Sequence, residues 1–219
     1  VLIRAYTEEF TSNDDVCLIL KTFPNIHNNI PELIKAATKS TGPEIIHIDE
    51  DLSEDEIISL YKASNCFVSP TRGEGFGLPM AEAMLCKIPV IVTNYGGHLD
   101  FCSKDNSYLI DFELTPSRTH LKAEYGITGS MWAEPDTKHL KRLMRYVYEN
   151  EDSLEVKEKI EAAYNNIITN FNRENSAKRT IRFLNKISTK LKLGMVSTWN
   201  TKCGIAEYTR YIIEGLPND

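Results

Sequence analysis

Two glutamates eight positions apart, Glu74 and Glu82, stand in the run Ser69-Pro-Thr-Arg-Gly-Glu-Gly-Phe-Gly-Leu-Pro-Met-Ala-Glu-Ala-Met84. Carboxylates accept paired hydrogen bonds from neighbouring hydroxyls, which suits a sugar or a ribose. Gly73, Gly75 and Gly77 alternate around Glu74. Glycine adopts positive φ without strain and lets backbone approach a ligand closely. Pro79 suits the first helical position, where its missing N–H costs nothing, so a helix is predicted from Leu78-Pro79 onward. The free amides of its first turn, with the positive end of the helix dipole, favour an anion such as a diphosphate. Glu74 then precedes the helix and Glu82 lies within it, and both can face one cleft at the carboxyl end of the preceding strand.

Other chemistries fit less well. A dinucleotide-binding oxidoreductase domain wants G-x-G-x-x-G after its first strand and an acid about twenty residues on; strict alternation with an acid between the first two glycines departs from that. Two carboxylates could flank a scissile glycosidic bond, as in a retaining glycosidase, but one acid on a loop and one on a helix suit ligand binding better. The five histidines (His27, His47, His98, His120, His139) and five cysteines (Cys17, Cys66, Cys86, Cys102, Cys203) form no metal spacing, so no metal site is expected. The scattered cysteines, with Cys17 and Cys66 in apolar runs read as buried thiols, fit a reducing cytosol rather than a disulfide framework.

Composition bounds the rest. The chain has 219 residues, 42% hydrophobic and 26% charged, with a formal net charge of -6. That is ordinary for a globular protein, and the negative balance argues against a nucleic-acid partner. No apolar run approaches a membrane span. The opening Val1-Leu-Ile-Arg-Ala-Tyr6 lacks the charged-then-apolar order of a leader, so a cytoplasmic setting is expected.

The elements that must carry the two acids read as alternating strand and helix. Residues 2–10 read as helix and the apolar run 16–23 as a buried strand. Ile30, Leu33, Ile34 and Ala37 keep helical period behind Pro31, and Glu44–Ile48 is a short strand. Ser53-Glu-Asp-Glu56 is a capping box, followed at helical spacing by Ile57, Leu60 and Tyr61. Strands at 66–69, 89–93 and 107–110 follow, with the acid-bearing helix after the first and a Gly96-Gly97 turn and short helix after the second. This alternation predicts an α/β fold, a Rossmann-like parallel sheet with helices on both faces. Residues 111–135 read as a long loop. Leu140, Leu143, Met144, Val147 and Tyr148 define an amphipathic helix, and helical sequence continues through 154–188 as a tail with a packing role.

The string Gly-Glu-Gly-Phe-Gly-Leu-Pro-x-x-Glu-Ala-Met, with its Glu-x7-Glu spacing, resembles the signature of retaining GT-B glycosyltransferases of group 1 (family 4). Residues 1–188 are then identified as the C-terminal, donor-binding half of a GT-B fold. The resemblance implies transfer of a sugar from a nucleotide-sugar donor to a glycan or lipid-linked acceptor, with GDP-mannose favoured over UDP- and ADP-sugars and no cofactor or metal. It implies that Glu74 contacts the donor sugar and Glu82 the ribose. Gly75, Phe76, Gly77 and Leu78 would meet the diphosphate and sugar through their amides, and Ile48 and Leu52 would lie near the base. The family's first strand and basic loop, and its acceptor-binding domain, have no counterpart here, so the isolated chain is expected to lack turnover. Lys21 and Arg72 are the nearby basic residues, and neither matches that loop. Alternatives implied at the same level are a non-catalytic sugar-nucleotide-binding module and a GT-B epimerase or phosphorylase. A lipid-linked acceptor would bring the parent protein to the inner face of a membrane.

Residues 189–219 change character. Leu191-Lys-Leu-Gly-Met-Val-Ser197 reads as a strand and Thr198–Arg210 as a turn entering a helix. The pattern is similar to the opening of another GT-B N-terminal domain, which would make the parent a tandem glycosyltransferase; a packed βα extension is the alternative.

Overall fold

The computed structural model describes residues 1–26, 28–38, 42–117 and 129–186. The chain divides into two compact units, Val1–Tyr164 and Asn165–Asp219. The first unit alternates helix and strand: α1 (Leu2–Glu9), β1 (Cys17–Lys21), α2 (Ile30–Ala37), β2 (Glu44–Ile48), α3 (Glu54–Lys62), β3 (Phe67–Ser69), α4 (Leu78–Leu85) and β4 (Val90–Thr93). A 3₁₀ turn at Gly97–Asp100 leads to β5 (Tyr108–Ile110), then β6 (Phe112–Pro116), β7 (Met131–Pro135) and α5 (Thr137–Glu149). The helix α6 (Leu154–Asn170) contains the boundary between units. In the second unit the last described helix is α7 (Arg173–Leu184), capped by the Asn172 side chain, which accepts from the Asn175 amide. The strand and helix expected at 189–219 lie outside the described residues.

The capping box is present: Ser53 Oγ accepts from the Glu56 amide while the Glu56 carboxylate accepts from the Ser53 amide and hydroxyl. The parallel pairings are present too, β1 with β2 and β3-β4-β5 in that order. They form two parallel groups rather than one sheet. Among the described residues, β1 and β3 each keep one lateral edge without a strand partner. Burial follows this division. β4, paired on both sides, is buried throughout, whereas Phe67, Val68 and Ser69 of β3 are only half-buried. Cys17, expected as a buried thiol, is exposed at the start of β1, and Cys66 is partly buried.

The reading of 111–135 as a loop is overturned at both ends, while residues 118–128 lie outside the described residues. Phe112–Pro116 and Met131–Pro135 pair antiparallel, with Phe112 opposite Pro135 and Thr115 opposite Trp132. Both strands are five residues long and end in proline, and those prolines look like turn punctuation. Proline is tolerated at such a position because it removes only a terminal ladder bond.

The core explains why these elements hold. Ala5, Tyr6 and Phe10 of the α1 segment pack with Ile91, Tyr108 and Ile110 and with Leu140, Met144 and Val147 of α5. Strand alternation turns Val90 and Val92 to the opposite face, and α4, which buries Met80, Ala83 and Met84, packs against β3 and β4. Each fully buried aliphatic chain of this set contributes about 1.5–3 kcal/mol. Arg145 of α5 ties the α1 end down: it donates to Glu9 Oε1 at 3.0 Å, Asp14 Oδ1 at 2.6 Å and the Glu9 carbonyl at 2.8 Å, and lies 4.4 Å from the Phe10 ring centre. Asp14 also closes the turn that follows α1 by accepting from the Thr11 amide and hydroxyl.

Candidate functional site

The loop Pro70–Gly77 leaves β3 and enters α4. Its last residue, Gly77, caps the helix in the left-handed region, φ 92°. A Cβ there would lie 2.7 Å from Met80 Sδ and 2.9 Å from His98 Cβ, so glycine is required on both conformational and steric grounds. Gly73 and Gly75 do not use positive φ, which corrects the expectation drawn from their alternation. Leu78 opens the helix, so Pro79 is its second residue rather than its first. The Met80 amide returns to the Gly77 carbonyl at 3.0 Å and Pro79 has no N–H. The Leu78 amide has no partner among the described residues, as an anion site at a helix start requires.

Two neighbouring segments brace this loop. The first is the turn after β4. The Gly97 amide donates to the Glu74 carbonyl at 2.8 Å, and a Cβ on Gly97 would lie only 1.8 Å from the Gly75 carbonyl oxygen. Beneath that turn His98 is fully buried, with Nε2 2.7 Å from the Thr93 carbonyl. A carbonyl only accepts, so Nε2 donates to it, and Nδ1 is buried with no hydrogen-bond partner among the described residues. The Phe76 ring rests on Phe101, centroids 5.2 Å apart. Its side chain anchors the loop, leaving the backbone as the part able to meet a ligand.

The second brace is the β6–β7 hairpin. The Ala133 amide donates to the Arg72 carbonyl at 3.0 Å. The Arg72 guanidinium pairs with Glu134 through Nε at 2.5 Å and Nη2 at 2.9 Å, and stacks 4.7 Å from the Trp132 ring centre. Arg72 is thus held by the hairpin rather than turned toward the helix start. Lys21 donates to the Thr22 carbonyl at 2.7 Å. A bound diphosphate would therefore rest first on amides and the helix dipole.

A cleft of about 730 Å³ opens at the carboxyl ends of β3 and β4, lined by Ser69, Thr71, Arg72, Gly73, Tyr95 and Trp132 among others. That is where open α/β folds bind ligands. Of the expected site residues, Glu74, Gly75, Phe76, Gly77 and Leu78 are consecutive to its lining at Gly73 but do not themselves line it, and neither do Glu82, Ile48 or Leu52. Glu74 is partly buried, with Oε1 accepting from the Gly75 amide at 3.0 Å. Glu82 is exposed on α4 and accepts from Tyr61 Oη at 3.1 Å. Partial desolvation pushes the Glu82 carboxyl above its usual range, opposed by the Tyr61 hydrogen bond and helped by the Glu54 charge.

Ile48 ends β2, and its carbonyl already accepts from the Thr22 amide at 2.9 Å; Leu52 is half-buried just before α3. Beside them lies a polar knot that sequence reading missed. Thr22 Oγ1 donates to Asp49 Oδ1 at 2.8 Å, so its single proton is spent. His47 Nε2 at 2.8 Å and Asn28 Nδ2 at 3.0 Å must then donate to it. Three of the four residues lie immediately beyond or at the end of a strand, the one signal available. Tyr61 was also missed, because its spacing with Ile57 and Leu60 reads as an apolar stripe. Arg72–Glu134 links residues 62 positions apart, beyond any local pattern. Among the described residues no group of three His, Cys, Asp or Glu side chains could hold a metal, and no helix is long and apolar enough to cross a membrane.

Residues 31–166 match the family described as Glycosyl transferases group 1. A sucrose synthase from Melioribacter roseus is 27% identical over 144 residues, which cover 63% of this chain and 17% of that protein. The O-antigen chain mannosyltransferase B of Escherichia coli is 46% identical over 41 residues, 19% of this chain and 11% of that protein. Among solved structures, a glycosyltransferase from Rickettsia africae superposes with TM-score 0.61 at 18% identity, covering 87% of this chain and 45% of its own. HepE of Anabaena in complex with UDP gives 0.59 at 15% identity, covering 85% and 44%. The chain thus spans less than half of these structures and under a fifth of these curated relatives. The structural likeness establishes the fold, that of the GT-B glycosyltransferases.

Proposed function

The chain belongs to the glycosyl transferases group 1 family, and from that membership we propose that it forms the donor-binding side of a retaining glycosyltransferase. The donor is a nucleotide sugar, with GDP-mannose favoured, and the acceptor is a glycan or a lipid-linked glycan. The mannosyltransferase among the partial relatives supports mannose; the UDP complex of a fold neighbour makes a UDP-sugar the runner-up. The setting is cytoplasmic, at the inner membrane face for a lipid-linked acceptor.

The observation that carries this reading is the braced loop, with Gly77 in the left-handed region at the start of α4 and the Leu78 amide without a partner among the described residues. Amides from Phe76 to Leu78 receive the diphosphate and stabilise it as it leaves, joined by the Gly75 amide once Glu74 turns from it to the sugar. Glu74 takes hydroxyls of the donor sugar and Glu82 those of the ribose. Departure of the diphosphate builds positive charge on the sugar and negative charge on the leaving group. Orientation and charge stabilisation of that pair, rather than a protein nucleophile, lower the barrier. Transfer needs an acceptor-binding surface, so the isolated chain binds donor without turning it over.

Calorimetric titration of this chain with GDP, UDP, ADP, NAD and GDP-mannose tests the reading. Selective binding of one nucleoside diphosphate and its sugar is expected. Binding of NAD with no affinity for any nucleoside diphosphate overturns it in favour of an oxidoreductase domain.

A further inference from the structure

We propose that Tyr61 is a positioning residue for the nucleotide site, holding the Glu82 carboxylate in the orientation that receives a vicinal diol; this rests on the reading of Glu82 as the ribose ligand. Tyr61 lies in the last turn of α3, and its ring packs against Phe67 of β3, centroids 5.9 Å apart. That contact fixes the direction of the hydroxyl. Tyr61 Oη donates to Glu82 Oε2 at 3.1 Å, across from α3 to α4.

The arrangement matters because Glu82 is otherwise poorly prepared for the task. It is an exposed side chain with several rotors, so unassisted binding would have to order it at the moment of contact. Its partly desolvated setting also disfavours the anion that a diol needs as acceptor. The phenol answers both difficulties. One hydrogen bond selects a rotamer and occupies one lone pair of Oε2, leaving Oε1 and the second Oε2 lone pair for two hydroxyls. Burial and the nearby Glu82 charge hold the Tyr61 hydroxyl far above its ordinary range, so it remains a donor at every working pH. The other ionisable groups around this pair are Glu54 on α3, Cys86 one turn along α4 and Lys62 beside Cys86. None is changed by removing the phenol oxygen.

The test compares the full chain with its Tyr61→Phe, Glu82→Gln and double variants. Calorimetry uses whichever of GDP, UDP and ADP the unsubstituted chain binds, and carbon-13 titration follows the Glu82 carboxyl without ligand. Tyr61→Phe should weaken nucleotide affinity about tenfold, roughly 1.4 kcal/mol, and should add nothing once Glu82 is glutamine. Losing a donor to the carboxylate disfavours the anion, so the Glu82 midpoint and the acid limb of binding should both move to higher pH. Equal weakening in the Glu82→Gln background, or no weakening at all, overturns the positioning role while the donor-site reading stands. If the unsubstituted chain binds none of the three nucleotides, the donor-site reading fails. The carboxyl titration then still decides the pairing, and an unmoved midpoint in Tyr61→Phe overturns it.

Discussion

Substituting Gly97 by alanine puts the bracing of the loop to the test. The added methyl carbon would lie 1.8 Å from the Gly75 carbonyl oxygen and 2.8 Å from its carbonyl carbon. Both are backbone atoms, so no rotamer change relieves the clash. Reaching ordinary contact requires a retreat of roughly 1.5 Å by the signature loop or the Gly97 turn. The loop is pinned on its other side by the Arg72 carbonyl and guanidinium, and the turn is backed by the buried His98. Overpacking of this kind costs about 1–3 kcal/mol of stability. A displacement near 1 Å at a positioned site can cost on the order of 100-fold in function, so nucleotide affinity should fall well beyond tenfold. Circular dichroism and urea unfolding measure the first effect and calorimetry the second. An alanine variant that folds and binds nucleotide like the parent would refute the bracing argument.

Gly75→Ala is the complementary probe. A Cβ there meets no protein atom within 4 Å, so urea stability should change by less than about 1 kcal/mol. Nucleotide affinity should fall, and unchanged affinity would place the diphosphate elsewhere. Glu82→Ala should weaken free nucleotide and nucleotide sugar alike, by about 1.5–3 kcal/mol, whereas Glu74→Ala should weaken only the nucleotide sugar; equal losses for both ligands in both variants would undo that division. The Arg145 hydrogen bond, with those from Thr11, lowers the Asp14 pKa to about 2 from an ordinary 3.8. A depressed folded value means the contribution is complete above the ordinary pKa and disappears as pH falls through the folded one. The gap in urea midpoint between the parent and Asp14→Asn should therefore close between about pH 4 and pH 2, and a constant gap would contradict the pairing.

Local chemistry was legible in the sequence and non-local closure was not. The Ser53–Glu56 capping box, the α4 start and the strand at 90–93 follow from residue type and spacing within a few positions. The β6–β7 hairpin was not visible, because its pairing joins segments separated by more than ten residues and its strands end in prolines. The division of the parallel strands into two groups was hidden for a similar reason: Cys17–Lys21 and Phe67–Ser69 carry the apolar character of interior strands while sitting at edges. In the site, the position of Glu74 and Glu82 on loop and helix was readable. The groups that hold them in place were not. Gly97 reads as any turn glycine, and nothing in its neighbours announces the Gly75 carbonyl against it. Tyr61 reads as one more apolar helix position, and only the packing of α3 beside α4 gives its hydroxyl a partner.

The edge of β3 that has no strand partner among the described residues has a thermodynamic consequence for the loop that follows it. Phe67-Val68-Ser69 carries neither charge nor proline, two of the devices that discourage an edge from pairing, and its guard is its length of three residues. Val68 and Ser69 belong both to that edge and to the lining of the cleft. Edge pairing and ligand binding therefore share one segment of backbone. Any extended polypeptide that pairs with β3 and so favours the ligand-competent loop must, by reciprocity, be held more tightly once the ligand is bound. The two affinities would change by the same factor, whichever binds first.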